Sequence, residues 1–461
     1  MSLTPIGAIA ILFAGYALTC SPAWSYYAAV FFMGFSGCAL VNVGGSFGLG
    51  LSLFFFLCYA VALNWGRDSG RMIAWVRDQI FPLCLTVLLA LSVLISLCPP
   101  ALKGEMLSIT VSISVFMGVG LVLTWLTVAF VHSERRLLTV LHVEFVSVVF
   151  ISAWGGLQLA CVLLHIPYPS AIFNNSASHS ALLYGAGTSG SYVRIGSVAV
   201  EPSVLVQSIG IPFSIAATLL YMGVSELRRW SIATVVAGSF AILFSTSTTG
   251  YFGTLLLLAL LLVERPRRIL SLVPAVVAGA AGMVLLVPDL ADAIIETTIT
   301  KPQSWSFVHR FDSIRSGLEI FLANPITGGG TDKEPAKSLP VFLLANLGLV
   351  GAIVFGALMV NLVAGLISLR TRLRFQAEAG QSKHARFWMA FCLGLLNALI
   401  VSLAMQCVAG ATYAFPDFWV LLGLIIATQR AVDAHRAVTP SRPTAWFQRI
   451  DAAQLQGGEA T

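Results

Sequence analysis

The sequence predicts an all-α polytopic membrane protein with about 12–13 transmembrane helices and two long loops on one face. Three observations carry that prediction. Of the 461 residues, 57% are hydrophobic and 10% charged, with a mean hydropathy of +0.89, more apolar surface than a water-soluble core can use. The apolar residues fall in runs of roughly 18 to 25, the length that crosses a bilayer core. Most of the 26 Lys and Arg residues gather in alternate connections between those runs, which marks one side as cytoplasmic by the positive-inside rule.

In chain order the predicted spans are 5–19, 26–42, 47–64, 79–98, 107–131, 138–165, 202–224, 230–246, 251–263, 269–288, 339–368, 387–408 and 417–429. Only Pro22 and the Gly44-Gly45 pair separate the first three. No charged residue precedes Arg67, so the first run lacks the basic region of a secretory signal, and Ile6 to Leu18 reads as a retained membrane segment. The basic connections hold Arg67, Arg71 and Arg77, Arg135 and Arg136, Arg228 and Arg229, Arg265 to Arg268, and Arg370 to Arg386. They continue into the polar tail 431–461, which puts the C-terminus on the same cytoplasmic side.

Two connections on the opposite face are too long to be simple turns. Loop A, 167–201, is rich in Ser, Gly and Asn, and its charged side chains are Arg194 and Glu201. Loop B, 289–340, carries a helix predicted over 307–323, with Ser304 and Ser306 as candidate caps and Asn324-Pro325 as its stop. At ~100° per residue, Phe311, Ile314, Leu318 and Phe321 make one apolar stripe expected to lie on the membrane domain. Arg310 and Arg315 flank it, and Asp312 and Glu319 take the wet face.

The net charge of +6 is dispersed over many connections, which excludes a nucleic-acid stripe. The eight cysteines lie in or at the ends of apolar runs, with no CxxC pair and no histidine at ligand spacing, and read as small packing residues.

Four places carry candidate chemistry. Arg194 and Glu201 stand just before a span, with Pro202 at its first helical position; ionisable groups there point to function. The alternative is an Arg194–Glu201 salt bridge or a carboxylate at a helix dipole. Arg310 and Arg315, with His309 beside them, offer planar forks suited to phosphate oxygens; the alternative is local pairing of Arg315 with Asp312 or Glu319. Asn324 to Lys337 contains three successive glycines, an anion nest or a turn into the next span. Ser245 to Tyr251, including Thr248, forms an outer turn whose hydroxyls contact substrate or cap helix ends.

His142 and Glu144 read as an interfacial pair with Arg135 and Arg136, Asp417 as a helix N-cap, and the Asn174-Asn175-Ser176 sequon as a chance match. Tyr168, Phe173, Tyr184 and Tyr192 of loop A either stack on sugar faces or anchor the interface.

The order YVRIGSVAVEPSVL, STSTTGYFGTLLLLAL, SFVHRFDSIRSGLEIFLANPITGGG and FLLANLGLVGAIVF, spanning Tyr192 to Phe355, resembles the Wzy-type polysaccharide polymerase and O-antigen ligase superfamily. The resemblance implies a GT-C-like glycosyltransferase of the bacterial inner membrane, with its active site facing the periplasm. It also implies undecaprenyl-pyrophosphate-linked glycans as donor and acceptor, no metal, cofactor or nucleotide sugar, and a flippase and chain-length regulator as partners. Arg194 and Arg310 then correspond to arginines around the lipid pyrophosphate, with Arg315 a third and Tyr192 and Thr248 beside the substrate. Glu201 or His309 is the candidate base. Two departures set the chain apart from ligases: no histidine follows the glycine-rich turn, and Thr248-Thr249 stands where ligases commonly carry Ser-Arg. The R-x-G-x-x-x-x-EPS form of loop A is similar to exopolysaccharide repeat-unit polymerases. A lipid-linked oligosaccharide transporter is the rival of another class, but the sequence shows no internal repeat of the kind transporters carry.

Overall fold

The computed structural model describes residues 2–44, 47–65, 79–96, 110–176, 194–268, 305–329, 336–378, 383–410 and 416–438. Its helices are α1 (Pro5–Cys20), α2 (Pro22–Phe31), α3 (Leu51–Trp65), α4 (Ile80–Ser96), α5 (Thr110–Phe130), α6 (Glu134–Leu163), the single turn α7 (Ser170–Phe173), α8 (Pro202–Met222), α9 (Arg228–Phe244), α10 (Thr248–Glu264), α11 (Trp305–Ala323), α12 (Leu339–Glu378), α13 (Lys383–Ala409) and α14 (Pro416–Val438). Three short strands, β1 (Ser2–Leu3), β2 (Ala39–Gly44) and β3 (Phe47–Gly50), form one antiparallel sheet in that order. The fold is all-α and polytopic, and α6, α8, α12 and α13 are each long and apolar enough to cross a membrane. The predicted span 269–288 lies outside the described residues.

The second predicted span is corrected. Helix α2 stops at Phe31, and Ala39–Gly44 and Phe47–Gly50 pair as antiparallel strands β2 and β3, with Val41 opposite Leu49 and β1 paired along the other edge of β2. Gly34 and Gly37 break the helix, and Val41 and Val43 on either side of Asn42 suit a strand. Irregular backbone at this depth needs partners from the protein. Asn175 supplies them by accepting from the Ala39 amide at 2.9 Å and from the Asn42 side chain at 2.8 Å.

At the centre stands α8, in which every residue from Pro202 to Ala216 is buried. It packs on α13, α9, α10 and α6. Small residues permit the close approach that lipid-embedded helices depend on: a Cβ on Gly238 of α9 would stand 2.7 Å from Phe213, and one on Gly253 of α10 would stand 2.5 Å from Met405 of α13. Asn397 of α13 donates to Thr218 of α8 at 3.1 Å.

The bundle has two unlike ends. At one, Arg268 donates to the Tyr221 carbonyl at 2.6 Å and Arg370 pairs with Glu264. At the other, α8 and α10 begin and α9 and α13 end. There α12 is kinked at Gly348 (φ 64°), which frees the amides of Leu349 and Val350 to donate to the Pro325 and Ile326 carbonyls. Gly328 (φ 76°) lies against the Asn346 carbonyl, where a Cβ would be 2.4 Å away. The glycines at 328 and 348 thus bring two backbones together.

The loop B helix starts at Trp305, so Ser306 lies inside it rather than capping it; Ser304 is outside the described residues. It stops before Asn324-Pro325 as expected. Its packed face is a correction. Phe311 is 64% and Leu318 40% exposed, while Ser313 and Gly317 are the buried positions. Gly317 meets Val341 and Ala336, a Cβ there standing 2.8 Å from Val341.

Candidate functional site

The site is built where five helix ends meet. The chain enters it at Arg194, whose Nε donates to the Ser245 carbonyl at 3.1 Å and whose Nη2 donates to the Thr246 carbonyl at 3.4 Å. The next residue continues the seam, Ile195 N–H donating to the Phe244 carbonyl at 3.2 Å. Arg194 therefore satisfies carbonyls at the C-terminal end of α9, where partial negative charge collects. Within the turn itself, the Ser245 hydroxyl donates to Ile242 O at 2.7 Å and accepts from the Ser247 amide at 3.3 Å. The hydroxyl of Tyr251 donates to Leu243 O at 2.9 Å. Thr248 is the first residue of α10, partly buried.

Glu201 is the N-cap residue of α8, extended (φ −155°) and followed by Pro202. Its carboxylate makes no capping bond to the helix amides and instead accepts from the Ser203 hydroxyl. It is positioned at the positive end of a helix buried along most of its length.

Arg310, partly buried on α11, donates through Nη1 to the Val408 carbonyl at 3.2 Å in the last turn of α13. Burial pulls its guanidinium pKa down from the usual arginine value, and the facing Glu201 carboxylate opposes that shift. Among the described residues its Nε and Nη2 have no hydrogen-bond partner. Lys337 joins the same corner: its amide donates to Ser313 Oγ at 2.8 Å, and its Cα would lie 3.6 Å from a Cβ on Gly410. The corner thus brings Glu201, Arg310 and the Lys337 backbone together at the end of the bundle where Arg194 seats.

The remaining predicted residues are placed as follows. Arg315 forms an ion pair with Glu319 at 3.2 Å, the side chains 77% and 66% exposed, and does not join Arg310. His309 is partly buried beside Arg310. Gly329 N–H donates to the Ala345 carbonyl at 2.8 Å, so the described part of the glycine run serves the α12 kink. Tyr192 and Tyr184 lie outside the described residues. Tyr168 donates to Asn174 at 2.8 Å and faces Trp154, while Phe173 packs among Phe35, Phe150 and Trp154; both build the wall of loop A. Burial pushes the Tyr168 hydroxyl pKa up. Asn174 is 8% exposed and donates to the Ser197 carbonyl, which accounts for the sequon as structure.

Two readings are corrected. Glu144 is buried at 4% exposure and shares a cavity with Asp417, away from Arg135 and Arg136. Asp417 sits inside the first turn of α14, which starts at Pro416, and is not its N-cap. The sequence held no sign of this pairing, because the two carboxylates lie on helices far apart in the chain.

Among the described residues no group of three or more His, Cys, Asp or Glu side chains is arranged to hold a metal. What the corner offers is fixed positive charge, Arg310 donors that no described residue accepts from, a carboxylate and helix-end dipoles. That set can hold an anionic leaving group and accept a proton beside it.

Residues 233–348 match the family model described as O-Antigen ligase. The matched stretch runs from α9 to the kink of α12 and includes Thr248, His309, Arg310 and Arg315; Arg194 and Glu201 precede it. No curated protein matches the chain.

Proposed function

We propose, from the match of residues 233–348 to the family model described as O-Antigen ligase, that this chain is a relative of the Wzy/O-antigen ligase superfamily and polymerises lipid-linked oligosaccharide repeat units. That match supports a glycosyl-transfer enzyme of the ligase and polymerase type, working on lipid-linked glycans in a multi-pass membrane setting. In the reading proposed, undecaprenyl pyrophosphate carries the growing glycan at the periplasmic face of the inner membrane. The product is exopolysaccharide or O-antigen, and a flippase and a chain-length regulator serve the same polymer.

The single observation that carries this reading is Arg310, a partly buried guanidinium in the field of Glu201 with two nitrogens that bond to none of the described residues. In the transfer, the bond between the sugar's anomeric carbon and the diphosphate oxygen breaks. A glycosidic bond forms to the acceptor hydroxyl, and the hydroxyl proton passes to a base. Arg310 and Arg194 hold the diphosphate charge as it develops, positioning and electrostatics supplying most of the catalysis. Glu201, beside Arg310, is the base we favour over His309. Arg315, paired with Glu319 in solvent, is left out of the diphosphate site.

The test is to give the purified full-length protein lipid-diphosphate-linked repeat units, with and without a lipid A core acceptor. A ladder of lengthened lipid-linked chains is expected. One transfer to the core and no ladder would establish the ligase, the second reading, which the description of the matched family favours. No transfer, with movement of lipid-linked units across vesicles, would establish the transporter.

A further inference from the structure

The transfer chemistry leaves unused a pair of acidic groups inside the bundle. Glu144 of α6 and Asp417 of α14 line one cavity of about 20 Å³, together with Ser147, Ser208 and Pro212 and an otherwise aliphatic wall. The volume suffices for about one water-sized occupant. Glu144 is 4% exposed and its Oε2 has no partner; Oδ2 of Asp417 is likewise buried and without one.

The polar groups of the cavity are the two carboxyls and two serine hydroxyls. The Ser147 hydroxyl donates away, to the Phe31 carbonyl at 2.6 Å. Ser208 lies within hydrogen-bonding reach of Asp417. Pro212 has no N–H to return to the Ser208 carbonyl four residues earlier. Among the described lining residues are two carboxylates and two hydroxyls and no Lys, Arg or His side chain; the donors that reach Asp417 are its own backbone amide and the Ser208 hydroxyl, and neither reaches Oδ2 or the Glu144 Oε2. From the elements packed against α6, the titratable groups facing Glu144 are Tyr26 of α2, whose hydroxyl donates to Thr127 at 2.9 Å, and Asp417 itself. α8 contributes Ser208, and the nearest charged-capable ring on α6, His142, turns to Trp230 of α9.

A like-charged pair in a low-dielectric interior cannot stand uncompensated, and ionisable groups within a membrane bundle are retained for a purpose. We propose that this cavity is a binding site for a small hard cation, a proton or a sodium ion, held between Glu144 and Asp417. Ser208 lies two turns along α8 from Glu201, so the site is beneath the transfer corner on the same helix.

The experiment uses full-length protein in detergent. Its unfolding midpoint is followed against pH at fixed ionic strength, and against sodium replacing choline at fixed pH, for the wild type, Glu144→Gln and Asp417→Asn. If the occupant is a proton, the folded form holds it more tightly than the unfolded form, so the midpoint falls as pH rises. If it is sodium, the midpoint rises with sodium. Either response is expected to be lost in Glu144→Gln, the neutral mimic, and to remain in Glu319→Gln as a surface control. A response that is the same in both cavity variants as in the wild type, or one given only by magnesium or calcium, overturns the proposal. Should the variants fail to fold, labelling of the wild type by a hydrophobic carbodiimide, which adds to protonated carboxyls, decides. Modification of Glu144 or Asp417 that fades with rising pH or added sodium is expected, and labelling at neither residue contradicts the site.

Discussion

Glu201, which opens α8, and Arg310, on the loop B helix, face each other across the end of the bundle, although they lie far apart in sequence. Their electrostatic interaction links the ends of the two long loops at one corner. It also sets the Glu201 carboxylate, at the entrance of α8, in the field of the guanidinium that would hold a leaving diphosphate. Glu201→Gln keeps the shape and removes the base. A loss in kcat of about 10²–10⁴ is expected, with KM little changed. A change confined to KM would mean that Glu201 only positions Arg310.

Arg310→Lys keeps a positive charge but removes the planar fork. Loss of one charge-assisted hydrogen bond to the diphosphate, about 1.5–3 kcal/mol, corresponds to a rate reduction of roughly 10- to 100-fold. Chain lengthening by purified protein reads this directly. Activity within twofold of wild type would show that bidentate geometry is unimportant at this position.

Arg315→Ala should be nearly silent. Its pair with Glu319 is exposed on both sides, and such pairs contribute about 0.2–1 kcal/mol, less in salt. Chain lengthening and unfolding midpoint are both expected to stay near wild type. A loss as large as that at Arg310 would return Arg315 to the diphosphate site.

Gly348→Ala tests the kink. The backbone there is left-handed, and an added Cβ would stand 2.3 Å from the Ile326 carbonyl. A destabilisation of about 1–3 kcal/mol is expected from strain alone, seen as a lower unfolding midpoint. Activity should fall with it, because the same contact fixes the end of α11.

Much of this was legible from residue order. Among the described residues, the long apolar runs other than 26–42 became helices near the predicted places because hydropathy and length decide them, and Pro202 marks the start of α8 as its position suggested. The span 26–42 was not legible: the choice between helix and hairpin rests on Asn175, remote in sequence, bonding Ala39 and Asn42. The stripe of α11 misled for a physical reason. A lipid-embedded protein need not bury its apolar residues against itself, and helices meet through small ones, here Ser313 and Gly317. At the site, Arg194 and Arg310 stood out because charge is scarce. Their partners did not, since Ser245, Thr246 and Val408 act through backbone carbonyls, which no side-chain pattern announces.

The central claim is that Arg194 and Arg310 hold one lipid diphosphate between them. It is tested most directly by the affinity of full-length protein for undecaprenyl pyrophosphate, measured for wild type, Arg194→Ala, Arg310→Ala and the double variant. A shared ligand predicts that each single change weakens binding at least tenfold and that the double change costs clearly less than the two combined, the coupling expected of residues in one network. Unchanged affinity in either single variant, or strictly additive losses, would contradict it.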